Sequence, residues 1–336
     1  MSVSRFAQAV DEIAAETGFS GVVRVDLEDR VEFLKAFGLA NRPLAVANTV
    51  DTRFGIASGT KGLTALTVMS LIGDATLGLD TTARSVLADD LRLIENEVTV
   101  EQLLGHRSGI GDYLDEDVEH DNRDYILPVP VHRLVSTEDY LQVLEGHPTK
   151  FRPGERFSYC NSGYVVLALI AERVSGTPFH DLVMKRVCEP AGMPDTAFLR
   201  SDELPERTAV GYLDVSGLRT NVLHLPVRGS GDGGLYSTVA DIHSLWQALF
   251  AGRIVSAPFV DEMTRLRSDS PSGSMGYGLG FWVDPASGAV MLEGADAGVS
   301  FRTVCDSARR LTWTVLSNTT EGAWPMVRAL NELLSG

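Results

Sequence analysis

The chain has 336 residues, and its 29 Lys plus Arg against 45 Asp plus Glu give a formal net charge of −16. Apolar residues make up 44% and charged residues 22%, the profile of a globular protein long enough to need a composite core or two lobes. The acidic balance argues against nucleic acid or an anionic membrane as a partner, and no apolar run approaches the roughly 18 residues that span a bilayer.

The stretch Ser4 to Glu16 places Phe6, Ala9, Val10, Ile13 and Ala14 at helical spacing. It is acidic and lacks an apolar core, so it reads as a packed helix and not as an export signal. Two strand-like runs follow, Gly21 to Leu27 and Val31 to Phe37. The three residues between them predict an antiparallel hairpin. From about Ser58 to Gly176 the pattern is helical, with segments at Gly62 to Ile72, Val100 to Leu104, Thr137 to Leu144 and Ser162 to Val174. A further helix, Ser237 to Phe250, opens on a Ser-Thr capping pattern. Strand signals return at Tyr277 to Val283, Ala289 to Glu293, Ser300 to Val304 and Leu311 to Leu316, and a helix over Ala323 to Leu334 follows them. Both ends therefore supply strands and the middle supplies helices. Short sequential strands with tight connections favour an antiparallel sheet. The expected fold class is α+β: an antiparallel sheet from both chain ends flanked by helices, plus a mainly helical lobe. The expected division is 1–60 with 235–336 as the sheet domain and 61–234 as the helical lobe, with the active site in the cleft between them.

Two short patterns can carry chemistry. In Ser58-Gly59-Thr60-Lys61 a strand-like run turns into a helix. A serine there has a free N–H for an oxyanion, and Lys61 lies three residues on along the same face. A neutral Lys61 can take the serine proton; the plainer reading is an N-cap serine and a surface lysine. In Tyr159-Cys160-Asn161 a phenol and an amide project to one side of an extended loop; the plainer reading is a buried tyrosine and a capping asparagine. The other patterns are weaker. Gly229-Ser230-Gly231-Asp232-Gly233-Gly234 spells a dinucleotide fingerprint without a βαβ unit around it. His106 reads as a structural loop histidine. The cluster Asp112, Asp115, Glu116, Asp117, Glu119 and Asp121 reads as a solvated acidic loop, with repulsion of anionic substrates near the site as the alternative. The cysteines Cys160, Cys188 and Cys305 are scattered, which suits a reducing, cytoplasmic compartment.

These patterns resemble the serine β-lactamase and penicillin-binding-protein superfamily, in the branch with class C β-lactamases, D-alanyl-D-alanine carboxypeptidases and family VIII esterases. Ser58 and Lys61 match its Ser-x-x-Lys motif, and Tyr159 and Asn161 match its Tyr-x-Asn. The runs Leu103 to Ile110 (LLGHRSGI), Phe151 to Tyr164 (FRPGERFSYCNSGY), Glu189 to Thr196 (EPAGMPDT) and Gly233 to Thr238 (GGLYST) also fit, in order along the chain. The third motif departs. Where the family has Lys-Thr-Gly or His-x-Gly, this chain has Leu292-Glu293-Gly294. Leu292 can neither bind a substrate carboxylate nor supply a positive neighbour to Lys61.

The resemblance implies a β-lactamase/transpeptidase-like fold and a serine hydrolase or acyltransferase that needs no cofactor or metal. Ser58 is the expected nucleophile, with Lys61 and Tyr159 moving its proton. Asn161 orients Lys61 and the acyl chain, and the amides of Ser58 and Ala295, beside the small Gly294, form the oxyanion hole. The expected partner is a small ester or amide whose acyl group needs no carboxylate. β-Lactamase or D,D-peptidase activity is the alternative. A non-catalytic binding protein, with Glu293 pairing with and silencing Lys61, is the rival from another class. Arg302 is one candidate to replace the lost cation, against a structural surface role.

Overall fold

In a computed structural model, residues 3–28, 30–118, 121, 123–269 and 275–334 are described. Eight strands form one antiparallel sheet: β1 (Gly21–Leu27), β2 (Arg30–Phe37), β3 (Ser268–Asp269), β4 (Gly276–Tyr277), β5 (Trp282–Val283), β6 (Val290–Asp296), β7 (Val299–Asp306) and β8 (Leu311–Ser317). Their spatial order is β2-β1-β8-β7-β6-β5-β4-β3, so strands from the two ends of the chain meet where β1 pairs with β8, Gly21 opposite Ser317 and Leu27 opposite Leu311.

Period-two alternation gives the sheet two different faces. Val23, Val25, Trp313 and Val315 pack against Phe6, Val10 and Ala14 of α1 (Val3–Thr17) and against Met326, Val327 and Leu330 of the C-terminal helix. The intervening Val22, Leu292, Phe301 and Leu316 join the larger core on the other side. There lie α2 (Thr60–Gly73), α3 (Asn161–Ser175) and α4 (Val239–Phe250), with α5 (Ala323–Leu334) being the C-terminal helix of the first face. Buried residues run around the whole circumference of α2 and of most of α3. A helix apolar on all sides belongs in the middle of a large core, and these two pack on each other there.

The hairpin, the terminal helices and the long strands fall where the sequence predicts them. The run Tyr277 to Val283 does not form one strand. It folds back as β4 and β5, with Gly276 opposite Val283 and Tyr277 opposite Trp282. Gly278 N–H donates to Phe281 O at 2.9 Å across the turn. Gly280 takes φ +92°, and a Cβ there would stand 2.2 Å from the Ala65 Cβ of α2. The two glycines therefore turn the chain and let it press against the helix. The stretch Thr137 to Leu144 begins as a 3₁₀ turn, Thr137–Tyr140, before one α-helical turn, Leu141–Leu144. The glycine-rich run 229–234 is a tight loop laid on α2 and α3. A Cβ at Gly231 would be 2.2 Å from Tyr164 O, so its glycines serve close backbone packing.

Phe301 ties the sheet to the start of α2, since its ring occupies the space that a Cβ on Gly59 would need, 2.4 Å away. It is fully buried. Phe301→Ala is expected to destabilise the fold by about 3–5 kcal/mol. Urea denaturation reads this directly, and a loss below about 1 kcal/mol would contradict the packing described.

Candidate active site

Ser58 sits where a short strand, Phe54–Gly55, turns sharply into α2 through the 3₁₀ turn Ala57–Gly59. Ala57 takes φ +42°, a conformation that costs an L-residue free energy and that its surroundings must hold. Three hydrogen bonds hold it: Gly59 N–H to Ile56 O at 2.8 Å, Thr60 Oγ1 to Ala57 O at 2.7 Å, and Leu235 N–H to Thr60 Oγ1 at 3.2 Å. One turn on, the Lys61 side chain runs into the core and is 1% exposed. Its Nζ lies 2.9 Å from Ser58 Oγ, 2.8 Å from Asn161 Oδ1 and 2.8 Å from the backbone oxygen of Asp232.

Asn161 is the first residue of α3. Its amide orientation is fixed because Nδ2 donates to Leu114 O at 2.9 Å and to Glu116 Oε1 at 3.2 Å, leaving Oδ1 for Lys61. The helix start is gripped by the buried Asp112 carboxylate, which accepts from Asn161 N–H at 2.6 Å and Ser162 N–H at 2.8 Å. Asn161 is thus not a cap; the Sγ of Cys160 occupies that position and accepts from Gly163 N–H at 3.4 Å. Tyr159 is clamped between two rings. His106 stacks on it at 4.2 Å and Trp282 at 6.0 Å, nearly parallel to it. Its own ring centroid is 4.9 Å from Lys61 Nζ. His106 Nδ1 accepts from Cys160 N–H at 3.0 Å, which fixes the loop bearing Tyr159 and Asn161.

On the facing strand β6, Leu292 is buried and its methyl groups fill the space beside Gly62 of α2, where a Cβ would meet Cδ2 at 2.5 Å. A Cβ on Gly294 would lie 2.3 Å from Ile56 O and 2.7 Å from Ser58 N, so only glycine lets β6 approach the turn this closely. Glu293 points the other way. It pairs with Arg302, its cross-strand neighbour on β7, whose guanidinium lies 5.7 Å from the Trp324 ring of α5. The expectation that Glu293 reaches Lys61 is therefore corrected, and so is the idea that Arg302 replaces the missing cation. Successive strand residues face opposite sides of a sheet, and these two share the side away from α2. Ser58, Tyr159, Asn161, Gly294 and Ala295 all border one cavity of about 470 Å³, and Glu293 edges it.

Burial holds the Lys61 amine below the ordinary lysine range, against the pull of Asp232, Glu116, Asp112 and Asp296. Burial also drives His106 well below its usual range, so its imidazole is neutral. Tyr159 is pushed well up by burial and by nearby Glu116 and Tyr277, which keeps its phenol protonated. Asp296 is raised to about 7, chiefly by burial, and Asp112 to about 6 for the same reason.

Several contributors escape a reading of the sequence. Asp232 acts through its backbone oxygen, and Trp282 and His106 meet Tyr159 only in the fold. The acidic run is a solvated loop only in part: Glu116, Asp117 and Asp121 are exposed, while other members are built into the site. Asp112 is buried under α3, Glu116 touches Asn161, and Asp115 and Asp117 hold Lys150 at 2.7 and 2.6 Å. Asp121 pairs with Arg123 at 2.6 Å, and Glu119 lies outside the described residues.

A family model for beta-lactamase matches residues 6–334. Among curated proteins, the chain is 27% identical over 282 residues to a putative penicillin-binding protein, PbpX, of Bacillus subtilis, covering 83% of this chain and 66% of that one. It is 31% identical to esterase EstB of Burkholderia gladioli, covering 63% and 55%. To a D-aminopeptidase of Brucella anthropi it is 27% identical, covering 81% and 50%. The chain thus spans half to two thirds of the length of these three relatives. A solved penicillin-binding protein from Bacillus halodurans superposes with a TM-score of 0.89 at 32% identity, covering 96% of this chain and 99% of that one.

Asp112→Ala leaves the N–H groups of Asn161 and Ser162 buried without an acceptor. It is expected to cost about 1–2 kcal/mol of stability, the value of a helix N-terminal acceptor. Denaturant titration checks this; stability equal to the parent protein's would mean that the carboxylate does not hold α3.

Proposed function

From the premise that this chain belongs to the beta-lactamase family, we propose that it is a serine hydrolase working through an acyl-enzyme on Ser58. The observation that carries this reading is the set of atoms around Lys61 Nζ. Two of its three neighbours, Asn161 Oδ1 and Asp232 O, can only accept. A neutral amine satisfies them with its two N–H bonds and turns its lone pair to the third, the Ser58 hydroxyl. Burial favours that neutral state. Ser58 Oγ then attacks an ester or amide carbonyl while its proton passes to Lys61. The oxyanion is received by Ser58 N–H and Ala295 N–H, at the place Gly294 keeps open. The proton returns from Lys61 to the leaving group by way of the Tyr159 phenol, which the His106 and Trp282 rings hold in place. Water, or another acceptor, releases the acyl group by the reverse route.

The substrate class follows from what lines the cavity. Leu292 packs on Gly62 and offers no cation, and Arg302 is engaged on the far side of the sheet. An uncharged acyl group therefore suits the site better than the carboxylate of a β-lactam or a peptidoglycan stem. Glu293 is held by Arg302, which removes the basis for a silenced, purely ligand-binding Lys61. The esterase and aminopeptidase names among the relatives support ester and amide donors.

A neutral fluorophosphonate is expected to label one serine stoichiometrically, with labelling abolished in Ser58→Ala and slowed about 10²–10⁴-fold in Lys61→Met. Mass spectrometry of the intact protein reads the adduct; labelling that persists in Ser58→Ala refutes the nucleophile. A short-chain nitrophenyl ester should exceed a cephalosporin in kcat/KM by about tenfold or more, and comparable values would refute the preference against carboxylates.

A further inference from the structure

Five acidic residues line the cavity beside Ser58, namely Glu116, Asp117, Asp232, Asp296 and, at its edge with the carboxylate turned to Arg302, Glu293; among the described residues no lysine or arginine lines it. Three of the five are engaged by groups of the chain itself. Asp117 is held by Lys150 at 2.6 Å, Glu293 by Arg302, and Asp232 by the Tyr113 hydroxyl. The remaining two differ. Glu116 accepts one long bond, from Asn161 Nδ2 at 3.2 Å, and Asp296 accepts from the adjacent Ala297 N–H at 2.8 Å. Neither forms an ion pair among the described residues. Both line the same cavity as Ser58, Glu116 from the loop that carries Asp112 and Leu114 and Asp296 from the end of β6 just past Gly294.

We propose that Glu116 and Asp296 are specificity-determining residues of the Ser58 cleft, which select an acyl donor carrying an ammonium group a few bonds from the scissile carbonyl. This rests on the reading of Ser58 as the nucleophile and goes one step beyond an acyl group without a carboxylate. An ammonium supplies the counter-charge that the walls lack and donates charge-assisted bonds to carboxylate oxygens that accept little else. A donor carboxylate in the same place meets the charge of Glu116, and that of Asp296 once it is ionised, so exclusion and attraction act together. The nearness of these groups to one another is visible in Asp296, which burial and the Asp232 carboxylate raise to about 7. A bound cation relieves that repulsion.

The test compares three p-nitrophenyl esters of nearly equal length and shape: 3-aminopropanoate with a terminal ammonium, butanoate with a methyl, and the half-ester of succinate with a carboxylate. The expected order of kcat/KM is ammonium over methyl over carboxylate, each step about tenfold or more at low salt, with the spread narrowing as ionic strength rises. In Glu116→Gln and Asp296→Asn, the ammonium-to-methyl ratio, taken within each variant, falls toward one. A flat order in the parent protein, with Ser58 still labelled by a neutral fluorophosphonate, overturns the charge selection and leaves the nucleophile standing. No labelling and no turnover of any ester overturns both.

Discussion

An amine buried among neutral oxygens is the constraint on which the site depends. Lys61 is carried into the core by α2, and among the described residues no carboxylate comes within ion-pairing distance of its Nζ. What it meets instead is a side-chain amide, a backbone carbonyl and a serine hydroxyl. Desolvation then favours the uncharged amine, and an uncharged amine has the right complement of two donors and one lone pair. The four carboxylates farther out pull toward the ammonium, yet burial outweighs them. If one of them moved into contact, an ion pair would form and the lone pair would be lost.

The rest of the architecture reads as support for that arrangement. The strained Ala57 places Ser58 at the head of α2. Gly59, Gly62 and Gly294 bring the sheet and the helix closer than any side chain would allow, with Phe301 and Leu292 filling the spaces they leave. From the other side, Asp112 grips the first N–H groups of α3 and so fixes Asn161, while the neutral His106 and Trp282 hold the Tyr159 ring. These pieces come from segments as far apart as residues 57 and 294. The site therefore exists only when the meeting of β1 with β8 has brought both chain ends into one sheet.

Much of this was legible in the residues. A serine and a lysine three apart at a strand-to-helix turn must share a helix face, and a phenol and an amide two apart in an extended segment must share a side. Both pairs converge on Lys61 Nζ. The alternating strands and the helical spacing of Phe6, Val10 and Ala14 likewise fixed the sheet and its covering helices. What was hidden has physical causes. Asp232 contributes a backbone oxygen, which no residue identity announces. Asp112 looked solvated because an acidic run ordinarily is, and only the fold lays it under α3. The stack of His106, Tyr159 and Trp282 joins three loops by contacts that no local pattern encodes. The direction of Glu293 was within reach, since an inward Leu292 on a strand obliges its neighbour to face outward, where Arg302 holds it.

The central claim concerns a protonation state, and the chain's composition makes it directly measurable. It holds only four lysines, Lys35, Lys61, Lys150 and Lys185, so the ε-amines of a lysine-labelled sample can be resolved by NMR and assigned through single Lys→Arg variants. Titrated with pH, the Lys61 resonance is predicted to change charge state below the ordinary lysine range. A Lys61 that titrates within that range or above it would contradict the account, because a site built on an ammonium has no lone pair to offer Ser58.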